Sequence, residues 1–246
     1  MAIKNIIFKL IELALNPKEI YALLTWPKFS LTSYCMVSAL KQQGIHPQTI
    51  IDIGANVGQF TVAAAKLFPK LQIHSFEPLP ESVTLLKKHV RKFKNIIVYP
   101  LALGDQEGEI PFHVNAYNLS SSIIPLAEAH RLAFPNAQEV KTISVNLSTL
   151  DKVFNVITLE PPVLLKLDVQ GYESTTLRGG LKTLQRVDYV ILEASFKPMY
   201  EGEMLFVDIV PLMEEYGFHF LRPVGWLSHP KTGEILQMDA LFARQS

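Results

Sequence analysis

Ile50-Ile51-Asp52-Ile53-Gly54-Ala55-Asn56-Val57-Gly58-Gln59-Phe60 is the stretch that decides the fold. Ile50, Ile51 and Ile53 are β-branched, which suits a strand buried on both faces. The run stops on Gly54, turns through a short loop and, after Gly58, enters a pattern that predicts a helix over 57–68. Glycines at 54 and 58 permit tight turn geometry and let a ligand approach the backbone. The first turn of the helix then offers free N–H groups and a positive dipole end. Strand, glycine loop and helix in this order form a unit that binds nucleotide-like cofactors.

The loop narrows the choice of cofactor. No Lys-Ser or Lys-Thr follows Gly58, so a triphosphate loop is absent, and the spacing Gly54-x-x-x-Gly58 lacks the third glycine of a dinucleotide fingerprint. Asp52 would repel a pyrophosphate but suits a cationic ligand or the ordering of loop amides. The pattern D-x-G-x-x-x-G is similar to the cofactor loop of S-adenosylmethionine-dependent methyltransferases. Glu77 follows 19 residues after Gly58, at the tip of a second strand ending His74-Ser75-Phe76-Glu77-Pro78. A carboxylate at that place can accept both hydroxyls of a ribose, with Phe76 and Pro78 as walls. Ala102 and Leu103, after a third strand, are placed for a flat heterocycle. Asp105 either accepts from its amine or serves the turn beside Gly104.

Strands are expected at 49–54, 72–77, 96–102, 162–168, 187–194, 217–223 and 239–244. Helices are expected at 57–68, 80–92, 173–185 and 203–216, and this alternation predicts a mostly parallel sheet covered on both faces. The last two strands read as a hairpin, so one strand runs antiparallel. Residues 105–160 break the rhythm as a substrate-side insertion, with extra strands at 109–115 and 141–146 and a mobile piece at 118–138. Within it, Asn118-Leu119-Ser120-Ser121-Ser122 serves either as hydrogen-bond donors to cofactor or substrate, Ser121 among them, or as plain loop.

The 246 residues carry 23 basic and 23 acidic side chains, a balance that argues against nucleic acid as the main partner. Cys35 is the single cysteine and excludes an intrachain disulfide; it suits a reducing, cytoplasmic compartment and a bland role as a small apolar residue. Lys4, Lys9 and Glu12 interrupt the apolar N-terminus, which is too short and charged to span a membrane. Ile3, Ile7, Leu10 and Ala14 instead mark an amphipathic helix. Residues 1–46 are therefore expected to form a helical cap or lid, with weak membrane-surface contact as a lesser use, ahead of a cofactor-binding domain at 47–246.

The second informative stretch is Leu164-Leu165-Lys166-Leu167-Asp168-Val169-Gln170-Gly171-Tyr172-Glu173. Lys166 and Asp168 share one face of a buried strand by the two-residue period, and charges in such a strand need partners. Glu173 opens the following helix and, with Lys166 and Asp168, is expected to form a mutually neutralising cluster; Glu193 ends the next strand on the same rim. These residues are the catalytic candidates, with Asp168 as the first choice of general base and His113 and His130 as rivals. Asp168, Glu173 and Glu193 offer the hard oxygens that Mg²⁺ takes, but Lys166 competes with a cation there, so no metal ligand is assigned. Tyr117, Phe134, Phe196 and Tyr200 are candidates for the acceptor wall or for ordinary packing.

D-I-G-A-N-V-G, F-E-P, L-A-L-G-D, N-L-S-S-S and K-L-D-V-Q-G-Y-E occur in the order found in the FkbM family of methyltransferases, which the chain resembles from about residue 49 to 244. The resemblance implies a Rossmann-like class I methyltransferase fold with a seven-stranded sheet and S-adenosylmethionine as cofactor. It also implies methyl transfer to a hydroxyl of a sugar, polyketide or other specialised metabolite. Carried onto this sequence, Asp52, Gly54, Asn56 and Gly58 would surround the methionine part, with Ala55 and Phe60 in the same loop and helix. Glu77 would hold the ribose and Asp168 would stand nearest the reacting centre. A nicotinamide-dependent oxidoreductase and a non-catalytic nucleoside-binding or assembly subunit are the competing readings.

Overall fold

The computed structural model describes residues 17–115, 121–136 and 139–245. The amphipathic stretch at 3–14, together with Tyr117, Asn118, Leu119 and Ser120, lies outside the described residues. Among the described residues two helices come first, α1 (Pro17–Thr25) and α2 (Leu31–Gln42), the second capped by Ser30, whose hydroxyl accepts from the Ser33 N–H at 3.3 Å. Cys35 is exposed on α2, not packed as a small apolar residue.

The main sheet holds β1 (Thr49–Ile53), β2 (Gln72–Phe76), β3 (Ile96–Tyr99), β7 (Val163–Leu167), β8 (Tyr189–Ser195), β9 (Phe218–Ser228) and β10 (Ile235–Arg244). Their spatial order is β3-β2-β1-β7-β8-β10-β9, parallel except for β10, which runs antiparallel to both neighbours. This is the mostly parallel, seven-stranded architecture expected from the alternation. The order reverses between β1 and β7, and the resulting crevice lies where ligands sit in open α/β sheets.

Alternation along the strands builds two cores. Ile51, Ile53, Leu165, Leu167 and Leu192 face α6 (Leu150–Phe154), α8 (Leu181–Leu184) and α9 (Phe206–Glu215). Ile50, Leu164, Ile191 and Leu241 face α2 and α3 (Gln59–Leu67) on the other side. A further helix, α4 (Pro80–Val90), packs Leu86 and Val90 against Ala55 and Val62.

Four expected boundaries move, three of them for a reason visible in the structure. The third strand ends at Tyr99 because Pro100 has no N–H to give the ladder. The chain turns there, and β4 (Ala102–Leu103) joins a second sheet with β6 (Glu139–Ser148) and β5 (Gly108–Asn115), in the order β4-β6-β5. The expected helix 173–185 is two pieces, α7 (Glu173–Arg178) and α8. A Cβ on Gly179 would lie 1.9 Å from the Gly104 carbonyl oxygen, so the helix breaks where the backbone of the β4 loop presses in. The helix expected from 203 begins at Phe206, because the Glu203 carboxylate folds back to accept from the Met199 and Tyr200 N–H groups. The hairpin strands β9 and β10 are longer than expected. Within the insertion, β5 and β6 are present as an antiparallel pair, and a short helix, α5 (Glu128–Ala133), occupies part of the segment 118–138.

Candidate active site

The loop after β1 is held by its neighbours in the sheet. The Gly54 and Ala55 N–H groups donate to the Phe76 carbonyl at 3.0 and 2.9 Å, and the Asp168 N–H donates to the Ile53 carbonyl at 3.0 Å. Gly54 has φ +80, and a Cβ there would lie 1.9 Å from the Asp168 carbonyl oxygen. Its glycine is thus required by the close approach of β7, a reason additional to any ligand. Gly58 at φ +95 opens α3 and faces Leu86, away from the cavity.

Above the strand ends lies a cavity of about 800 Å³. Gly54, Ala55, Asn56, Phe60, Glu77, Pro78, Ala102, Leu103, Ser121, Lys166, Asp168 and Glu193 all line it, so twelve of the expected site residues converge although they come from seven separate parts of the chain. Asp52, Gly58 and Glu173 do not. Asp52 is fully buried beneath the loop, where its Oδ2 accepts from the Thr61 hydroxyl at 2.6 Å and its Oδ1 lies 3.9 Å from the Lys166 ammonium. It neither orders the loop amides nor reaches the cavity. Ser121 Oγ accepts from the Asn115 N–H at 3.0 Å.

Glu77 is the ligand of the loop. Its Oε2 accepts from the Asn56 N–H at 2.9 Å and its Oε1 from the Leu79 N–H at 2.8 Å, which fixes the carboxyl plane at the β2 tip. Burial pushes its pKa up to about 7, against the pull of those two amides. Each oxygen retains a second lone pair for a ligand hydroxyl.

Lys166 is 4% exposed and sits 3.0 Å from Asp168 Oδ2, with its ammonium 5.3 Å from the centre of the Phe60 ring. Burial opposes its charge, yet Asp168, Asp52 and Asp239 together hold it above the usual lysine range. The expected pairing of Lys166 with Glu173 does not form. Glu173 is buried and accepts from the Val169 N–H at 3.0 Å, because helix α7 turns it inward beneath the loop. Burial raises its pKa to about 8.

The cavity carboxyls differ in their surroundings. Burial, then the nearby Asp168 and Glu173, push Glu193 well above the carboxylate range. Asp239 is raised to about 6 by burial and by Asp168. Asp168 is the accessible member, its side chain 37% exposed. The rival histidines are elsewhere or quiescent. His113 lies 3.0 Å from Glu139 in the second sheet, whereas His130 lines the cavity but is packed between Phe134 and Tyr200. Burial lowers His130 to about 4, which leaves it neutral. Asp105 pairs with Arg178 at 3.5 Å and does not line the cavity.

Gln170, Asp239, Trp226 and Gln237 line the cavity without having been assigned from sequence. Asp239 carried a signal, since it is a lone acid in the apolar run Leu236–Phe242, as Lys166 is in its own strand. Of the aromatic candidates Phe134 lines the cavity, Phe196 is exposed, and Tyr200 is buried behind Gln170.

The donor set fits a cationic nucleoside. One end offers a fixed carboxyl at Glu77, the loop offers backbone with no side chain larger than a methyl at Gly54 and Ala55, and the far wall is acidic.

Residues 52–220 match the family model described as the methyltransferase FkbM domain. The chain is 29% identical over 175 residues to the 2-O-methyltransferase NoeI of Sinorhizobium fredii, covering 67% of this chain and 72% of that protein. It is 24% identical over 160 residues to the hexuronic acid methyltransferase AglP of Haloferax volcanii, covering 64% of this chain and 60% of that protein. Among solved structures, the methyltransferase domain of bacterial CtHen1-C aligns with a TM-score of 0.50 at 14% identity, over 88% of this chain and 100% of that one. A chain of a fibrillarin/Nop5p complex aligns at 0.51 and 12% identity, over 87% and 83%. At such identities these two structures speak for the fold alone.

Proposed function

Because the chain belongs to the FkbM methyltransferase family and is an S-adenosylmethionine-dependent methyltransferase, we propose that it methylates a hydroxyl oxygen of a sugar. The observation that carries this reading is Asp168, a half-buried carboxylate at the strand tip in a cavity where burial raises the pKa of the neighbouring Glu193 and Asp239. A hydroxyl nucleophile needs a base to take its proton, and Asp168 is the carboxylate placed to do so. Relatives named for 2-O-methylation and for a hexuronic acid support a sugar over a polyketide acceptor.

S-adenosylmethionine supplies an activated methyl group on a sulfonium centre. In this reading Gly54, Ala55 and Asn56 face its methionine part, Glu77 accepts the ribose hydroxyls, and Ala102 and Leu103 flank the adenine. Asp168 takes the acceptor's proton at Oδ1, which accepts from Gln170 but not from the Lys166 ammonium and keeps a lone pair for the hydroxyl. Such a base accelerates transfer roughly 10²–10⁴-fold, and alignment of the reactants by the cavity recovers about 7–11 kcal/mol of barrier. Lys166 pairs with Asp168 Oδ2 at 3.0 Å and supplies the cationic charge of the cluster. The donor set does not favour a divalent ion, because that ammonium already occupies the cation's place. Of the stretch 1–46, we assign the described part, residues 17–46, to a cap over the acceptor side, since Ser30, Thr32, Ser33 and Met36 line the cavity, and we place the protein in the cytoplasm on its single cysteine. Among the described residues no helix is long and apolar enough to cross a membrane.

Incubating the protein with methyl-labelled cofactor and a panel of glycans, polyketides and small phenols, followed by mass spectrometry, tests the reading. A labelled O-methyl sugar is the expected product. Labelling confined to nitrogen or carbon acceptors would refute it.

A further inference from the structure

We propose that Gln170 is the positioning residue that orients Asp168 for proton removal. The inference rests on the reading of Asp168 as the base. Gln170 Nε2 donates to Asp168 Oδ1 at 2.7 Å and to Glu193 Oε2 at 2.9 Å, so both its N–H bonds are committed to carboxyl oxygens. Its Oε1 accepts from the Tyr200 hydroxyl. These partners leave one orientation for the amide. Ionised Asp168 can only accept, so the NH₂ end must face it, and Oε1 is left for the one remaining donor. Burial holds Tyr200 protonated, which keeps that donor in place.

The backbone is held as firmly as the side chain. Gln170 has φ +58, a left-handed conformation that a non-glycine residue keeps only when its surroundings over-determine it. Here the Ser122 hydroxyl donates to the Gln170 carbonyl at 2.7 Å. At Gly171 a Cβ would lie 2.7 Å from both Ile124 and Tyr200, so the turn is wedged between them. Ser122 and Ile124 belong to the insertion and Tyr200 follows β8. Two distant segments therefore lock a residue whose side chain ends on the base. Lys166 and Gln170 then grip one oxygen of Asp168 each, at 3.0 and 2.7 Å, and the carboxyl plane cannot rotate. The same amide bridges the two carboxyls.

Gln170→Leu keeps the volume and removes the donors. Its kcat should fall about tenfold or more, with acceptor KM and cofactor Kd within about twofold of the parent, as expected for loss of a hydrogen bond to a charged group. The acid limb of the kcat profile should move up by about one pH unit. Tyr200→Phe removes the donor that anchors Oε1 and so loosens the amide; it should give a smaller change of the same kind, and it decides the matter if Gln170→Leu does not fold. A readout without turnover is ¹³C NMR titration of labelled aspartate, assigned with Asp168→Asn, in which the Asp168 signal should move to a higher midpoint in Gln170→Leu. Unchanged kcat, limb and midpoint in both variants, or a loss confined to KM or Kd, would overturn the proposal. If Asp168→Asn retains full kcat, the base assignment has failed; if it is inactive while both variants match the parent, only the role of Gln170 has.

Discussion

Asp168 and Glu77 illustrate how much a single carboxyl's surroundings decide. Both end a strand at the same rim, yet Asp168 is accessible and bound by two donors, whereas Glu77 is 5% exposed and clamped by two backbone amides. They should separate by function. Asp168→Asn is expected to lower kcat roughly 10²–10⁴-fold while calorimetry shows cofactor affinity nearly unchanged. Glu77→Ala should do the reverse, weakening S-adenosylmethionine about tenfold or more through the lost ribose acceptors, with little effect on kcat at saturation. A common loss of binding in both variants would mean that the two carboxyls act on the same ligand. Glu173 is the instructive failure at this scale. Its position at a helix start suggested a rim residue, but the helix dipole and burial turned it inward to the Val169 amide.

At the scale of elements, the two loops that frame the cavity are one unit. The loop after β1 and the loop after β7 touch where Gly54 meets the Asp168 carbonyl, so β1 cannot accept a side chain there without parting from β7. Gly54→Ala should therefore destabilise by more than about 3 kcal/mol in urea unfolding, from the contact and the positive φ together. Gly44 provides the control, with φ +74 and nothing within 4 Å of an added Cβ. Gly44→Ala should cost only about 1–2 kcal/mol, the conformational part alone. Similar losses at the two positions would show that backbone conformation, and not the approach of β7, is what demands glycine at 54. The helix break at Gly179 has the same origin, a carbonyl from another loop occupying the place of a Cβ. Such contacts join residues far apart in the chain, which is why the periodic pattern 173–185 read as one helix.

Over the whole molecule, burial of carboxyls sets the pH dependence of stability. Glu173 and Glu77 have pKa values raised to about 8 and about 7 from an ordinary 4.5, and Asp239 is raised to about 6 from 3.8. Each binds its proton more tightly folded than unfolded. None of them affects stability below the unfolded midpoint, and each removes stability as pH climbs from there to the folded midpoint. His74 and His130, lowered by burial to about 4 from 6.5, act oppositely; their contribution is complete above pH 6.5 and is lost as pH falls below it. Above about pH 6.5 only the carboxyls remain, so Tm should fall between about pH 6.5 and pH 8.5. Glu173→Gln, which keeps an oxygen for the Val169 N–H, should flatten that fall. A Tm that rises across this window, or an unaltered slope in the variant, would show that Glu173 is ionised throughout.

The mostly parallel sheet, the glycine loop and the gathering of Glu77 and Asp168 at one edge were legible in the sequence because each rests on local periodicity or on the position of a residue at the end of its strand, whereas the order of the strands was not. β-branched runs make buried strands, alternation dictates which side chains share a face, and loops after parallel strands gather at one edge. The charge state of the site and its second tier of residues were decided only by the tertiary structure. Gln170 meets Glu193 and Tyr200, Asp239 acts on Lys166, and Asp52 sinks beneath the loop toward Lys166, through contacts between segments tens to just over one hundred residues apart. Desolvation depends on everything that surrounds a group, and no window of sequence contains those neighbours.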